Sequence, residues 1–176
     1  ENNDTDPEIQ NWDLVWSDEF NSLIIDESKW NYEIGTGGWG WGNGEAQYYT
    51  STANNSFIDD GKLVIRANQE NYGGSNYTSA RMTTQNKGDW TYGRFEVSAK
   101  LPEGIGTWPA IWMMPTNSEY GGWPNSGEID IMEHVGFEPG LIHATAHNNT
   151  YNWNGGIPPN GGELVLNDYS QNFHTY

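Results

Sequence analysis

Between Ser126 and His134 the chain reads Ser-Gly-Glu-Ile-Asp-Ile-Met-Glu-His, with three carboxylates, Glu128, Asp130 and Glu133, set among β-branched and apolar residues suited to a buried strand. Strict alternation puts Glu128 and Asp130 on one face and Glu133 on the other. One extra residue at Ile131-Met132, a β-bulge, resets the phase and returns Glu133 to the side of the first two acids. On a concave sheet two such Glu side chains can lean to the roughly 5–5.5 Å carboxyl separation of double-displacement glycoside hydrolysis, against the roughly 6.5–9.5 Å of the inverting route. Acids this crowded cannot all ionise at neutral pH, which separates an ionised nucleophile from a protonated acid. A hard-cation site is the competing use of the same residues.

The elements around these acids read as short strands. Trp12–Trp16, Gln47–Thr50, Thr78–Thr84 and Gly93–Lys100 alternate, and Asp60-Gly61 between two β-rich runs signals a hairpin. Thr107–Pro115, apolar and bracketed by prolines, reads as a buried strand carrying Trp108 and Trp112 on one face. The Gly/Pro loop Tyr120–Ser126 runs straight into the acid strand and brings Trp123 beside it. His143 and His147 lie four apart on a strand-like run; no third ligand has zinc spacing, so a hydrogen-bonding His147 near the cleft is expected instead of a metal pair. Thr36–Glu45 is a glycine-rich loop displaying two indoles, with Trp41 and Asn43 the candidates for one end of a binding cleft. Gly155–Gly162 reads as a loop.

Composition narrows the partner. A net charge of −17 with seven Lys plus Arg argues against nucleic acid and against polyanionic substrates. Ten Trp and ten Tyr in a chain that is 35% hydrophobic exceed what a core of this size takes, and sugar faces would use the surplus. The 176 residues suit one domain, 11–176, after a polar leader at 1–10. No cysteine provides a disulfide frame, and no apolar run reaches membrane-spanning length.

Glu128-Ile-Asp130-Ile-Met-Glu133 resembles the signature of family sixteen of the glycoside hydrolases, in its form with the additional residue. Trp108-Pro-Ala-Ile-Trp112-Met-Met-Pro and Gly42-Asn43-Gly-Glu45-Ala-Gln47-Tyr-Tyr-Thr are similar to its laminarinase branch, which cuts β-1,3-glucans, and the likeness runs from Trp16-Ser-Asp-Glu19-Phe to the last residue. The resemblance implies an all-β fold, a concanavalin-like jelly-roll sandwich of two antiparallel sheets with a concave cleft. It implies Glu128 as nucleophile, Glu133 as general acid/base and Asp130 as their assistant, in a secreted, monomeric, retaining endo-hydrolase of neutral β-glucan. Trp41, Asn43, Arg81, Trp108, Trp112, Trp123 and His147 are expected to bind substrate. No cofactor is expected for catalysis, and a structural calcium is expected at Glu19 and Gly61. Resembling enzymes continue for several strands beyond Phe173–Tyr176, so the expected domain lacks its C-terminal strands. A galactan hydrolase of the agarase or carrageenase type and a non-catalytic lectin-like module are the rival functions, and the intact acid triplet speaks against the second.

Overall fold

The computed structural model describes residues 12–155 and 157–176; the polar leader expected at 1–10 lies outside them. The chain forms two compact units, Glu1–Tyr92 and Gly93–Tyr176.

Among its described residues the first unit holds seven short strands: β1 (Asn31–Glu33), β2 (Gln47–Tyr49), β3 (Ser56–Asp59), β4 (Lys62–Ile65), β5 (Asn68–Tyr72), β6 (Ser75–Ser79) and β7 (Arg81–Thr83). β1 pairs antiparallel with β7, β3 with β4, and β5 with β6, while β2 runs parallel to β6. The β3–β4 turn is the expected hairpin, with Asp60 at φ 48° and Gly61 at φ 67°, the two positive values of a type I′ turn. The run Thr78–Thr84 is divided at Ala80 between β6 and β7, and Trp12–Trp16 is in no strand. Trp16 instead meets Trp30 and Trp90 edge-on, and Trp30 donates its indole N–H to Asp18 at 2.8 Å. Asn55, fully buried, accepts from the Thr50 hydroxyl and donates to Thr78 Oγ1 and the Arg66 carbonyl. A buried amide with its donors and acceptor satisfied fixes which segments meet, where an apolar contact would tolerate sliding.

The second unit contains β8 (Ser98–Ala99), β9 (Ala110–Met113), β10 (Glu128–Glu133), β11 (Leu141–His147), β12 (Asn160–Val165) and β13 (His174–Thr175). Four of them form an antiparallel sheet in the order β12-β11-β10-β9, and β13 pairs with β8. The strand expected over Gly93–Lys100 is therefore limited to Ser98–Ala99. β9 is half-buried where a buried strand was expected. The stretch read as a loop at Gly155–Gly162 enters β12, and glycine is what permits this: a Cβ on Gly161 would lie 2.4 Å from the Ala144 carbonyl oxygen across the ladder.

β10 carries the expected bulge. Against β9, Asp130 faces Trp112 and Met132 faces Ile111, so two steps on β10 match one on β9 and Ile131 is the additional residue. Against β11, Asp130 faces Thr145 and Glu133 faces His143, three steps against two. The phase reset turns Met132 to the opposite side, where it is 1% exposed and packs with Leu101, Ile142 and Tyr169. His134 follows it inward: its Nε2 accepts from the Gly140 N–H, and its ring lies 4.4 Å from that of Tyr169.

Met132→Ala should lower unfolding stability by about 2–5 kcal/mol, the usual cost of emptying a filled core position. The check is the urea midpoint at constant m-value. An unchanged midpoint would show that the face opposite the acids does not hold β10 in place.

Candidate active site

Glu128, Asp130 and Glu133 face the same way because of the bulge, and each is met by a different donor. The Trp123 indole N–H donates to Glu128 Oε2, and the Trp108 indole N–H donates to Glu133 Oε1 at 2.9 Å. His147 Nε2 lies 3.1 Å from Asp130 Oδ2, with both residues buried. Trp123 and His147 also meet through their rings, 5.8 Å apart. Trp112 stands opposite Asp130 across the β9–β10 pair and therefore shares the acid face.

The electrostatics sort the three acids. Burial, reinforced by the neighbouring charges of Glu133 and Glu128 and by a hydrogen bond to Glu128, pushes the Asp130 carboxyl up to about 8. At neutral pH Asp130 is then an O–H donor to Glu128, not a third anion. His147 Nδ1 is buried without a hydrogen-bond partner. Burial also raises Glu133; the Trp108 N–H opposes that shift, the charge of Glu128 adds to it, and His147 and His143 act against it. Glu128 receives two donors, the Trp123 indole and the Asp130 carboxyl.

Of the seven residues expected to bind substrate, the second unit brings Trp108, Trp112, Trp123 and His147 around the acids. Trp108 and Trp123 are 50% and 38% exposed, leaving ring surface free beyond the N–H that each gives to a glutamate. His147 differs from the expectation: at 9% exposure it sits behind Asp130 and is not open to a ligand. Trp41, Asn43 and Arg81 come together in the first unit. The Arg81 guanidinium lies over the Trp41 ring at 4.5 Å and pairs with Glu33, while Asn43 donates to Glu45 at 3.1 Å. The loop was expected to display both indoles; Trp39, at 79%, is on display, while Trp41 is half-buried. Glu45, which was given no role from sequence, also accepts from Gln47 at 2.6 Å and Tyr49 at 2.8 Å; three hydrogen-bonding side chains within four residues of it were the available signal.

The residues expected to hold calcium do not by themselves make a site. Glu19 is exposed, and Gly61 serves the hairpin turn. Calcium takes 6–8 oxygen ligands. Among the described residues no group of three or more His, Asp or Glu side chains is arranged for a metal ion.

Two outcomes test this geometry. Deleting Ile131 restores plain alternation, turns Glu133 away from Glu128 and should place the Trp108 fluorescence and the titration of Glu133 outside their native pattern; a carboxyl titration that is unchanged would refute the bulge argument. The second concerns stability. Asp130 holds its proton in the folded state up to about pH 8 but releases it near 3.9 when unfolded. Its contribution is thus complete below about pH 4 and is lost as the pH rises toward 8. Asp130→Asn should flatten the decline in melting temperature over that window, and a decline equally steep in the variant would show that Asp130 ionises freely.

The model for "Glycosyl hydrolases family 16" matches residues 43–176. A beta-glucanase of Rhodothermus marinus is 49% identical over 98% of this chain and 61% of its own length, and a glucan endo-1,3-beta-glucosidase of Cryptopygus antarcticus is 48% identical over 94% and 62%. Among solved structures, the laminarinase from Rhodothermus marinus superposes with a TM-score of 0.90 at 49% identity, covering 94% of this chain and 66% of that one. The chain thus spans about three fifths of the length of these curated relatives. Its fold is of the all-β, jelly-roll class, and the chain belongs to family 16 of the glycosyl hydrolases.

Proposed function

We propose that this chain carries the catalytic site of a retaining endo-hydrolase of β-1,3-glucan. The observation that carries the reading is the division of labour on β10: a glutamate held by two donors, a second glutamate whose carboxyl burial raises, and between them an aspartate pushed up to about 8. Names of relatives such as laminarinase and glucan endo-1,3-beta-glucosidase support the substrate class.

In the first step Glu128 attacks the anomeric carbon while the glycosidic C–O bond breaks, and Glu133 gives its proton to the leaving oxygen. In the second, Glu133 takes a proton from water, the water oxygen bonds to the anomeric carbon, and Glu128 leaves as carboxylate. Asp130 keeps its hydrogen bond to Glu128 throughout and, being neutral, adds no repulsion to the attacking anion. Trp108 lowers the cost of the ionised form of Glu133 between the two steps. Among the described residues no helix is long and apolar enough to cross a membrane, and a polymeric substrate suits action outside the cell. Calcium at Glu19 and Gly61 would be structural and enters neither step; its check is the melting temperature in calcium against EDTA.

Glu128→Gln and Glu133→Gln should each reduce kcat on laminarin by at least about 10³-fold while leaving oligosaccharide affinity within a few-fold, because covalent and proton chemistry is removed and stacking is not. Proton NMR of the first product from laminarin should show the β-anomer ahead of mutarotation; an α-anomer would exclude retention. Parallel digests of lichenan and agarose test the linkage, and cleavage of agarose alone would move the assignment to a galactan.

The Trp108 hydrogen bond gives a pH prediction. It favours ionised Glu133, so Trp108→Phe should raise Glu133 further and move the alkaline limb of kcat/KM upward. A limb that stays in place would show that the indole N–H does not act on the acid.

A further inference from the structure

The Gly-rich loop of the first unit is wound around Trp41, and the indole it leaves outside is Trp39. Gly37 lies so close to the Trp41 ring that a Cβ there would sit 2.6 Å from it; a Cβ on Gly40 would sit 2.4 Å from the Glu45 amide nitrogen. Arg81 covers the Trp41 ring, Tyr49 lies 5.8 Å from it, and Glu45 gathers Asn43, Gln47 and Tyr49. The backbone closes on itself through Trp41 N–H to Thr36, Gly42 N–H to Gly38, Gly44 N–H to Trp39 and Glu45 N–H to Gly40, all between 3.0 and 3.2 Å. The loop is therefore a hydrogen-bonded platform and not a slack connection.

Trp39 and Trp41 both sit at positive φ on this platform, but only Trp41 is packed against the loop. The backbone of Trp39 is left-handed, φ 50° and ψ 49°, in a run where Gly37, Gly38 and Gly40 surround it and glycine would carry no strain. Its side chain returns little to the fold, because the residue is 79% exposed. A bulky residue that is strained and almost unburied on a rigid loop has the features of a ligand contact. An indole face matches the apolar C–H face of a hexopyranose, and the exposed Asn43 on the same loop offers hydrogen-bonding capacity for hydroxyls. The chain's charge of −17 directs such a surface to a neutral sugar.

We propose that Trp39 is a sugar-stacking residue: its exposed indole takes a pyranose ring of a β-glucan chain, and the Glu45-centred hydrogen bonds hold it in place. This rests on the glucan-hydrolase reading above, and it concerns affinity for the chain rather than the bond-breaking step.

The test uses Trp39→Gly, which removes the indole and the backbone strain together, in the Glu128→Gln background so that substrate is not consumed. Calorimetric titration with a laminari-oligosaccharide series should show Kd for the longer members rising about 3–10-fold, as loss of one aromatic contact implies. The melting temperature should not fall, and Trp39→Tyr should recover most of the affinity. In the active protein, KM for laminarin should rise at unchanged kcat. A Trp39→Gly protein that binds every member as its parent does overturns the assignment while leaving the glucanase reading intact. A melting temperature that drops with affinity in Trp39→Gly, and is not recovered by Trp39→Tyr, marks Trp39 as structural and overturns it also. A Glu128→Gln parent that binds no β-glucan of any length overturns both readings together.

Discussion

Three carboxyl groups on one face of one strand cannot all be anions, and the arrangement of the second unit follows from how that repulsion is relieved. Asp130, the most buried of the three, retains its proton and becomes a donor. The two glutamates beside it are each given an indole N–H, from a loop on one side and from the residue just ahead of β9 on the other. Tryptophan suits this task because it supplies a single donor with no charge, on a ring that can stay half-open to a ligand. An Arg or Lys in the same places would hold both glutamates ionised and remove the difference between nucleophile and acid.

The bulge at Ile131 serves two surfaces at once. It brings Glu133 beside Glu128, and by the same half-turn it sends Met132 and His134 into the apolar contacts with Leu101, Ile142 and Tyr169. Without the additional residue, either an acid would enter the core or the core residues would face outward. The cost of an unpaired residue in the ladder is thus offset by burial on one side and by chemistry on the other.

Much of this was legible before any coordinates. Three acids among Ile and Met residues can be reconciled with a half-buried strand only by a phase shift, so the bulge could be read from Glu128–Glu133 alone. Asp60-Gly61 named its own turn, and Trp123 was placed near the acids by chain connectivity. The pairing of Trp108 with Glu133 spans 25 residues. It depends on the β9–β10 register, which no local pattern carries. Burial of His147 was hidden for a similar reason: alternation tells which face a residue takes, not how deep that face lies. Trp12–Trp16 alternates like a strand, yet its tryptophan finds aromatic partners in Trp30 and Trp90, and tertiary packing overrides the local pattern.

The glycine-rich loop shows where such reading stops. Two indoles separated by one glycine are equivalent in sequence, and glycine's conformational freedom allows either to turn inward. What decides between them is the stack of Arg81 on Trp41 and the close approach of Gly37 to that ring, contacts supplied by β7 and by the loop's own closure. Once Trp41 is taken as the loop's interior, Trp39 has no interior left to occupy and must accept both exposure and a left-handed backbone. Both indoles carry a left-handed backbone, but only that of Trp41 is repaid by packing, and the indole of Trp39 is left to solvent.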